Sequence, residues 1–228
     1  MIEDKATSTI EEYLEAIYNM RADGTEPMAA RLAERLSVSI PTVMAALRRM
    51  ERDGLVTLGA RREISLTERG ERLATTLLRR HRLAERLLTD VLKVPWHESH
   101  AEACLLEHAI SARVERHLDE ALGHPERCPH GSPIPGNCSV IPHTIQLREA
   151  ESGVKLVVDR ISEMAERQTE FLAYLSEHHL HPGQQLHVER VDSFAGTLVL
   201  RVGDDQLVLG LPAARHIWVR PGADEGGR

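Results

Sequence analysis

Apolar residues in this chain recur first with a helical period and only late with a strand period. Ile10, Tyr13, Leu14 and Ile17 share one side of a helix over residues 9–20, and Asp23-Gly24 ends it. Pro27 opens a short second helix with Met28, Leu32 and Leu36 at i, i+4 and i+8. Ser39 is placed to cap a third, with Pro41 tolerated in its first turn. Val43, Leu47 and Met50 form the buried stripe of that helix, and Thr42, Ala45, Arg48, Arg49 and Arg52 its outer face. Leu55–Leu58 and Glu63–Leu66 then read as a strand pair around the tip Gly59-Ala60-Arg61-Arg62, after which Thr67 caps the next helix.

That order, short helix, tight turn, basic helix and a hairpin with a basic tip, is a winged helix-turn-helix. The third helix would enter a major groove by its N-terminal end. Arg48, Arg49 and Arg52 would reach phosphates or guanine edges, Ser39, Pro41 and Thr42 would lie at the entering end, and Arg61 and Arg62 would meet the backbone or minor groove.

Residues 67–92 continue as one long helix or two joined ones, broken by Pro95. Ser99 with Glu102 has a capping-box pattern, starting a helix whose buried side runs through Leu106, Ile110, Val114 and Leu118 to Leu122-Gly123. Such leucine-rich helices suit a dimer interface. Residues 124–147 hold five prolines and read as a linker or extended loop; its Cys128, His130, Cys138 and His143 match no common zinc-finger spacing, so no metal is expected there. From residue 153 the period becomes strand-like: Val154–Val158, then segments near 184–191, 196–202 and 206–211 punctuated by glycine, with a helix over 164–175 between them. The fold class is mainly α with a small β-barrel, divided into residues 1–73, 74–147 and 148–228.

Net charge is −7, which taken alone argues against a nucleic-acid partner. Its distribution reverses that: residues 28–82 carry twelve arginines, no lysine and six acidic residues, a net +6 that leaves −13 for the rest. A basic block in an acidic chain is the footprint of a DNA face. All 13 histidines lie at or after position 81. No apolar stretch reaches membrane-spanning length, the N-terminus lacks a signal-peptide pattern, and three cysteines form no disulfide framework, so a cytoplasmic protein is expected.

The candidate chemistry centres on Cys104-Leu105-Leu106-Glu107-His108. On a helix, Cys104, Glu107 and His108 would share a face, and thiolate, carboxylate and imidazole together suit a divalent transition metal. His81 and Glu85 form another ligand-type pair at i, i+4, with His100 close to the first set. Glu12 is a candidate ligand from the first helix, although Thr9-x-x-Glu12 also reads as a capping box. Two rival readings use the same residues. A metallohydrolase would treat Cys-x-x-Glu-His as an inverted zincin helix with Glu107 as base, leaving the basic helix without a role. A redox-sensing winged-helix regulator would use Cys104 alone, leaving Glu107, His81 and Glu85 unexplained.

Arg49-Met50-Glu51-Arg52-Asp53-Gly54-Leu55-Val56, residues Arg80–Asp90, His100-x-Glu102-Ala103-Cys104-x-x-Glu107-His108, the Gly131–Gly136 loop and Ala214-x-x-Ile217-Trp218-Val219 resemble the diphtheria toxin repressor family of metal-dependent regulators. The similarity spans the chain. It implies a winged helix-turn-helix, a helical dimerisation and metal-binding domain and a C-terminal SH3-like (FeoA-like) β-barrel, acting as a homodimer that binds palindromic operators, most simply to repress metal-uptake genes. It implies a regulatory metal site at Glu12, Cys104, Glu107 and His108, and an ancillary site at His81, Glu85 and His100, completed by Glu166 or Glu170. Iron-type members usually carry Met where this chain has Glu12, and manganese-type members a carboxylate; at Cys104 the pattern reverses. A hard carboxylate in place of a thioether favours Mn²⁺, and the thiolate makes Fe²⁺ a close second. Ligands split between residue 12 and residues 104–108 would let the metal tie the DNA-binding domain to the dimer core.

Overall fold

The structure, a computed structural model, describes residues 8–59, 63–140 and 142–222. Helices α1 (Ser8–Ala22), α2 (Ala29–Arg35) and α3 (Ile40–Arg52) lead into a hairpin of β1 (Val56–Leu58) and β2 (Ile64–Leu66), then α4 (Glu68–Arg86). The caps fall where the sequence places them: Ser39 Oγ accepts from Thr42 N at 3.3 Å and Thr67 Oγ1 from Gly70 N at 3.1 Å. Leu14, Ile17, Leu32, Val43, Leu47 and Met50 close the core of this unit under Val56 and Ile64. The hairpin tip with Arg61 and Arg62 lies outside the described residues.

α4 carries the chain out of this winged helix-turn-helix into the helical domain, ending in a π-turn over Leu87–Val91. α5 (Ser99–Leu106), a 3₁₀ turn (Glu107–Ala109) and α6 (Ala112–Ala121) follow. Ser99 is not a capping residue; Glu98 takes the N-cap position without a side-chain bond, and Ser99 Oγ donates to Trp96 O at 2.9 Å. The helix expected from residue 99 to 122 is two helices, because Ile110 turns extended and Ser111 starts α6 by accepting from Val114 N at 3.3 Å. The break rotates the apolar positions: Ile110 stays buried and Leu118 packs beside it, while Leu106 and Val114 are 37% and 51% exposed.

The proline-rich segment is a loop held against α4. Arg79 and Arg82 donate to the carbonyls of Pro135 and Pro133, at 2.7 and 2.5 Å, and Ile134 is fully buried.

The C-terminal unit is an SH3-like antiparallel sheet of six strands, ordered β3-β8-β4-β5-β6-β7. These are β3 (Ile145–Gln146), β4 (Lys155–Ile161), β5 (Gln185–Asp192), β6 (Thr197–Val202), β7 (Asp205–Gly210) and β8 (Ile217–Pro221). The segments read as β4 to β7 from the sequence are strands; β3 and β8 were not anticipated. The single helix expected over 164–175 is instead α7 (Glu163–Glu166) and α8 (Thr169–Glu177), and a short α9 (Leu211–Ala214) precedes β8. No helix among the described residues is long and apolar enough to cross a membrane.

Candidate metal centre and nucleic-acid face

α4 presents His81 and Glu85 one turn apart, and α5 brings His100 against them. His81 Nε2 lies 3.1 Å from both Glu85 Oε1 and His100 Nδ1. His100 Nδ1 is 3.4 Å from Glu166 Oε2, contributed by α7 of the C-terminal unit. One ligand atom each from His81, Glu85, His100 and Glu166 fall within 4.8 Å of one another, and all four residues are buried. Three further sets overlap this one, two of them through His81. His81, His100 and Cys104 form the first, with Cys104 Sγ 3.7 Å from His100 Nε2; Glu15, His81 and Glu107 form the second, with His81 Nδ1 2.5 Å from Glu107 Oε2.

The helical-face argument for Cys104, Glu107 and His108 holds only in part, because α5 stops at Leu106. Glu107 turns inward to His81, whereas His108 turns toward α1, with Nδ1 2.7 Å from Glu11 Oε2. Glu12, Cys104, Glu107 and His108 nevertheless border one small cavity of about 70 Å³. Glu12 is exposed at its rim, and Glu15, one turn further along α1, lies deeper. Glu170 is exposed on α8 and belongs to none of these sets. The inverted-zincin reading loses its scaffold with the end of α5.

Sequence reasoning missed Glu15, which shares a helix face with Glu12, and it read Cys128 and His130 as part of a linker. The loop brings both to Glu85, with His130 Nδ1 3.1 Å from Glu85 Oε1. Gly131 makes this turn at φ +90°, where a Cβ would sit 2.2 Å from the Asp159 carbonyl oxygen. The signal available was Cys128-Pro129-His130-Gly131 itself, a ligand pair tightened by a glycine. Cys138 Sγ donates instead to the Val140 carbonyl at 3.3 Å.

The electrostatics are those of a cation site. Burial and then the neighbouring Glu163, Glu107 and Cys104 push the Glu15 carboxyl well above its ordinary range. Burial opposes charge on His81 and His100, yet Glu85 and hydrogen bonds with Cys104, Glu107 and Glu166 outweigh it and raise both. Burial likewise opposes the Glu85 carboxylate, but His130 and His81 hold it well below the usual range. The Cys104 thiol, raised by burial, is brought down to about 7 by His100 and His81. Buried carboxylate oxygens normally have partners, yet Glu85 Oε2 and Glu166 Oε1 have none. Imidazoles, carboxylates and one near-neutral thiol with orphaned oxygens therefore fit a divalent transition metal.

In the first unit, Ser39, Pro41, Thr42, Arg48, Arg49 and Arg52 are all exposed, while Val43, Leu47 and Met50 hold α3 to its core. Ser39 Oγ and Thr42 Oγ1 are 2.8 Å apart at the helix start, and Arg49 lies 3.8 Å from Asp53 one turn on. The arginines are thus displayed by a rigid helix.

Residues 5–63 match the iron dependent repressor N-terminal DNA binding domain, residues 67–136 the iron dependent repressor metal binding and dimerisation domain, and residues 145–221 the FeoA domain. The chain is 39% identical over 208 residues to the iron-dependent repressor IdeR of Mycobacterium tuberculosis (strain H37Rv), spanning 86% of this chain and 90% of that one. It is 48% identical over 128 residues to the diphtheria toxin repressor of Corynebacterium diphtheriae, 56% of this chain and 57% of that one. Among solved structures, a manganese-dependent transcriptional repressor in complex with manganese superposes with a TM-score of 0.84 at 34% identity, covering 93% of this chain and 99% of that one. Buried ligand clusters beneath a winged helix, the three matched domains and these relatives together make the chain a member of the diphtheria toxin repressor family, a divalent-metal-dependent transcriptional repressor that binds operator DNA as a dimer.

Proposed function

We propose that this repressor is a cytoplasmic sensor of Mn²⁺, with Fe²⁺ as its second effector, and that it silences metal-uptake genes from palindromic operators. The observation that carries the metal reading is the buried convergence of His81, Glu85, His100 and Glu166 with two orphaned carboxylate oxygens. These four residues would hold one ion, with Cys128 and His130 beside it against Glu85. Glu12, Glu15, Cys104, Glu107 and His108, around the small cavity, would hold another. The carboxylates of Glu12, Glu15 and Glu107 make that second set oxygen-rich, which favours Mn²⁺; Cys104 keeps Fe²⁺ in competition.

When bound, the metal supplies positive charge that ties carboxylates from different segments together. The chain's own residues determine what is tied. Glu12 and Glu15 belong to α1 of the DNA-binding unit, whereas Cys104, Glu107 and His108 belong to the helical domain. Drawing them together would set the spacing of two recognition helices in the dimer, and only one spacing fits both half-sites. Ser39, Pro41, Thr42, Arg48, Arg49 and Arg52 would read the major groove, with Arg61 and Arg62 meeting the backbone or minor groove. The dimer face would be built on the apolar side chains that the helical domain leaves exposed, Val91, Leu92, Leu105, Leu106 and Val114. We take the domains to divide at residues 73 and 147.

Operator affinity measured anaerobically against Mn²⁺ and Fe²⁺ tests this reading. Glu12→Ala should raise the metal concentration needed for half-maximal binding by about 10–100-fold, the range for losing a group that supports a metal site. Unchanged metal dependence in that variant would sink the coupling between α1 and the helical domain.

A further inference from the structure

A large cleft lies outside both ligand sets, sharing Arg35 and Arg167 with the lining of the small cavity. It opens between α1–α2 of the DNA-binding unit and the C-terminal sheet and has a volume of about 790 Å³. Cavities of roughly 300–1,000 Å³ are the usual size of small-molecule sites, and they favour domain interfaces.

Its walls are strongly basic in an acidic protein. Arg31, Arg35, Arg148, Arg167 and Arg215 line it, against the acidic Asp23 and Glu34. Asp23 is engaged by Arg160, and Arg35 by Glu163. Arg31 donates to the Glu26 carbonyl and Arg215 to His216 Nε2, so neither has a carboxylate within ion-pair distance among the described residues; Arg148 has only Glu149, at 3.8 Å. Arg167 likewise has no ion pair among the described residues. Guanidiniums gathered around one concavity repel each other unless an anion offsets them. Three residues of its lining also carry polar atoms that lack partners, each enclosed by protein: the donors Arg35 Nε and Trp218 Nε1 and the acceptor Gln146 Oε1. Trp218, Met20 and Met164 add an apolar wall for the carbon skeleton of a ligand. The positive field already acts on the protein itself. Burial and then Arg215 lower His216 to about 4, leaving its ring neutral.

We propose that this cleft is a second ligand site, separate from the metal centre, that takes a small organic anion carrying two or more carboxylate or phosphate charges. Planar guanidiniums pair with either group through two parallel N–H donors. One wall belongs to α1–α2 and the other to the C-terminal unit, so an occupant would bridge the domain that touches DNA and the domain that supplies Glu166.

Calorimetry on the full-length, metal-free protein at low salt tests the site, with citrate as the polycarboxylate probe and ADP as the phosphate probe, no divalent ion being present for them to chelate. At least one should bind with a Kd below about 1 mM, and Arg148→Gln with Arg215→Gln together should weaken it at least about tenfold, the loss of roughly 1.4 kcal/mol. Whichever probe binds identifies the class. The His216 ring, followed by NMR, should titrate at higher pH in the complex because the anion offsets Arg215. Mn²⁺ affinity of the double variant, measured separately, should stay unchanged, which separates loss of this site from loss of the metal centre. Three results would overturn the proposal: neither probe binding, binding undiminished in the double variant, or displacement of the probe by a short duplex of unrelated sequence. The last would assign the cleft to the DNA surface.

Discussion

Replacing Glu163 with glutamine should loosen the junction between the DNA-binding and C-terminal units far more than a surface charge change would. Arg35 Nη2 of α2 donates to Glu163 Oε1 of α7 at 2.7 Å, and the two side chains are only 2% and 11% exposed. An exposed ion pair is worth about 0–1 kcal/mol. A buried pair that loses one partner costs about 3–5 kcal/mol, because the remaining charge is stranded away from water. Arg35 has little in reserve, since its Nε already lacks a partner. The assay is thermal unfolding of the metal-free protein, so that the proximity of Glu163 to the proposed metal cavity does not enter. At about 2–4 °C per kcal/mol for a chain of this size, Glu163→Gln should lower Tm by about 6–20 °C. Arg35→Met combined with Glu163→Met removes both charges and their desolvation cost, and should recover most of that loss. A shift under about 2 °C in the single variant, the scale of an exposed pair, would refute the reasoning. So would a double variant no more stable than the single one.

Asp23 gives a pH signature. Burial, partly offset by Arg160, raises its carboxyl from 3.8 to about 6, so the folded state keeps a proton that the unfolded chain releases. Stability should therefore fall by about 3 kcal/mol as pH rises from roughly 4 to 6, and urea unfolding of Asp23→Asn should lack that component; parallel pH profiles for the two proteins would contradict it. Gly131→Ala places a methyl against the Asp159 carbonyl at a positive φ, and should cost about 2–4 kcal/mol in urea unfolding by overpacking plus backbone strain. A cost below about 1 kcal/mol would mean that the loop carrying Cys128 and His130 is free to move.

The legible parts of the fold were those governed by local chemistry. Ser39 and Thr67 cap their helices because a hydroxyl beside a first-turn N–H needs nothing from the rest of the chain. Val43, Leu47 and Met50 are buried because the helical period alone puts them on one face. What escaped was set by distant partners. The break after Leu106 depends on Ser111 outcompeting a continuous helix, and Leu105–Ile110 shows no glycine or proline to announce it. β3 pairs with β8 from the far end of the unit, Ile145 opposite Val219, and so short a strand carries no period of its own. The candidate site divided the same way. His81 and Glu85 were legible as a pair one helical turn apart. Cys128 and His130 were not, because their approach to Glu85 is made by a turn at Gly131 and by the bond from Ile161 N to the His130 carbonyl at 2.9 Å, contacts that span much of the chain.

The placement of apolar and polar contacts explains how a metal ion could govern such a molecule. The buried apolar residues form three separate clusters, one in the DNA-binding unit, a small one in the helical domain and one in the C-terminal sheet. Trp96 of the helical domain packs against the C-terminal cluster, and beside it the contacts between units include many polar ones: Arg35 with Glu163, Arg160 with Asp23, Arg82 with Asn19, and His100 with Glu166. A continuous apolar core would lock the units together by tens of close-packed contacts that no single charge could rebalance. Junctions made of ion pairs and imidazole–carboxylate contacts are worth a few kcal/mol each and respond directly to an added cation. Glu166 and Glu163 sit three residues apart on α7, one facing His100 and the other facing α2. An ion held by Glu166 would therefore steady the helix that holds Arg35. On that geometry the C-terminal unit would be part of the switch rather than an appendage, because it touches both the His81, Glu85 and His100 cluster and the first helix of the helix-turn-helix motif.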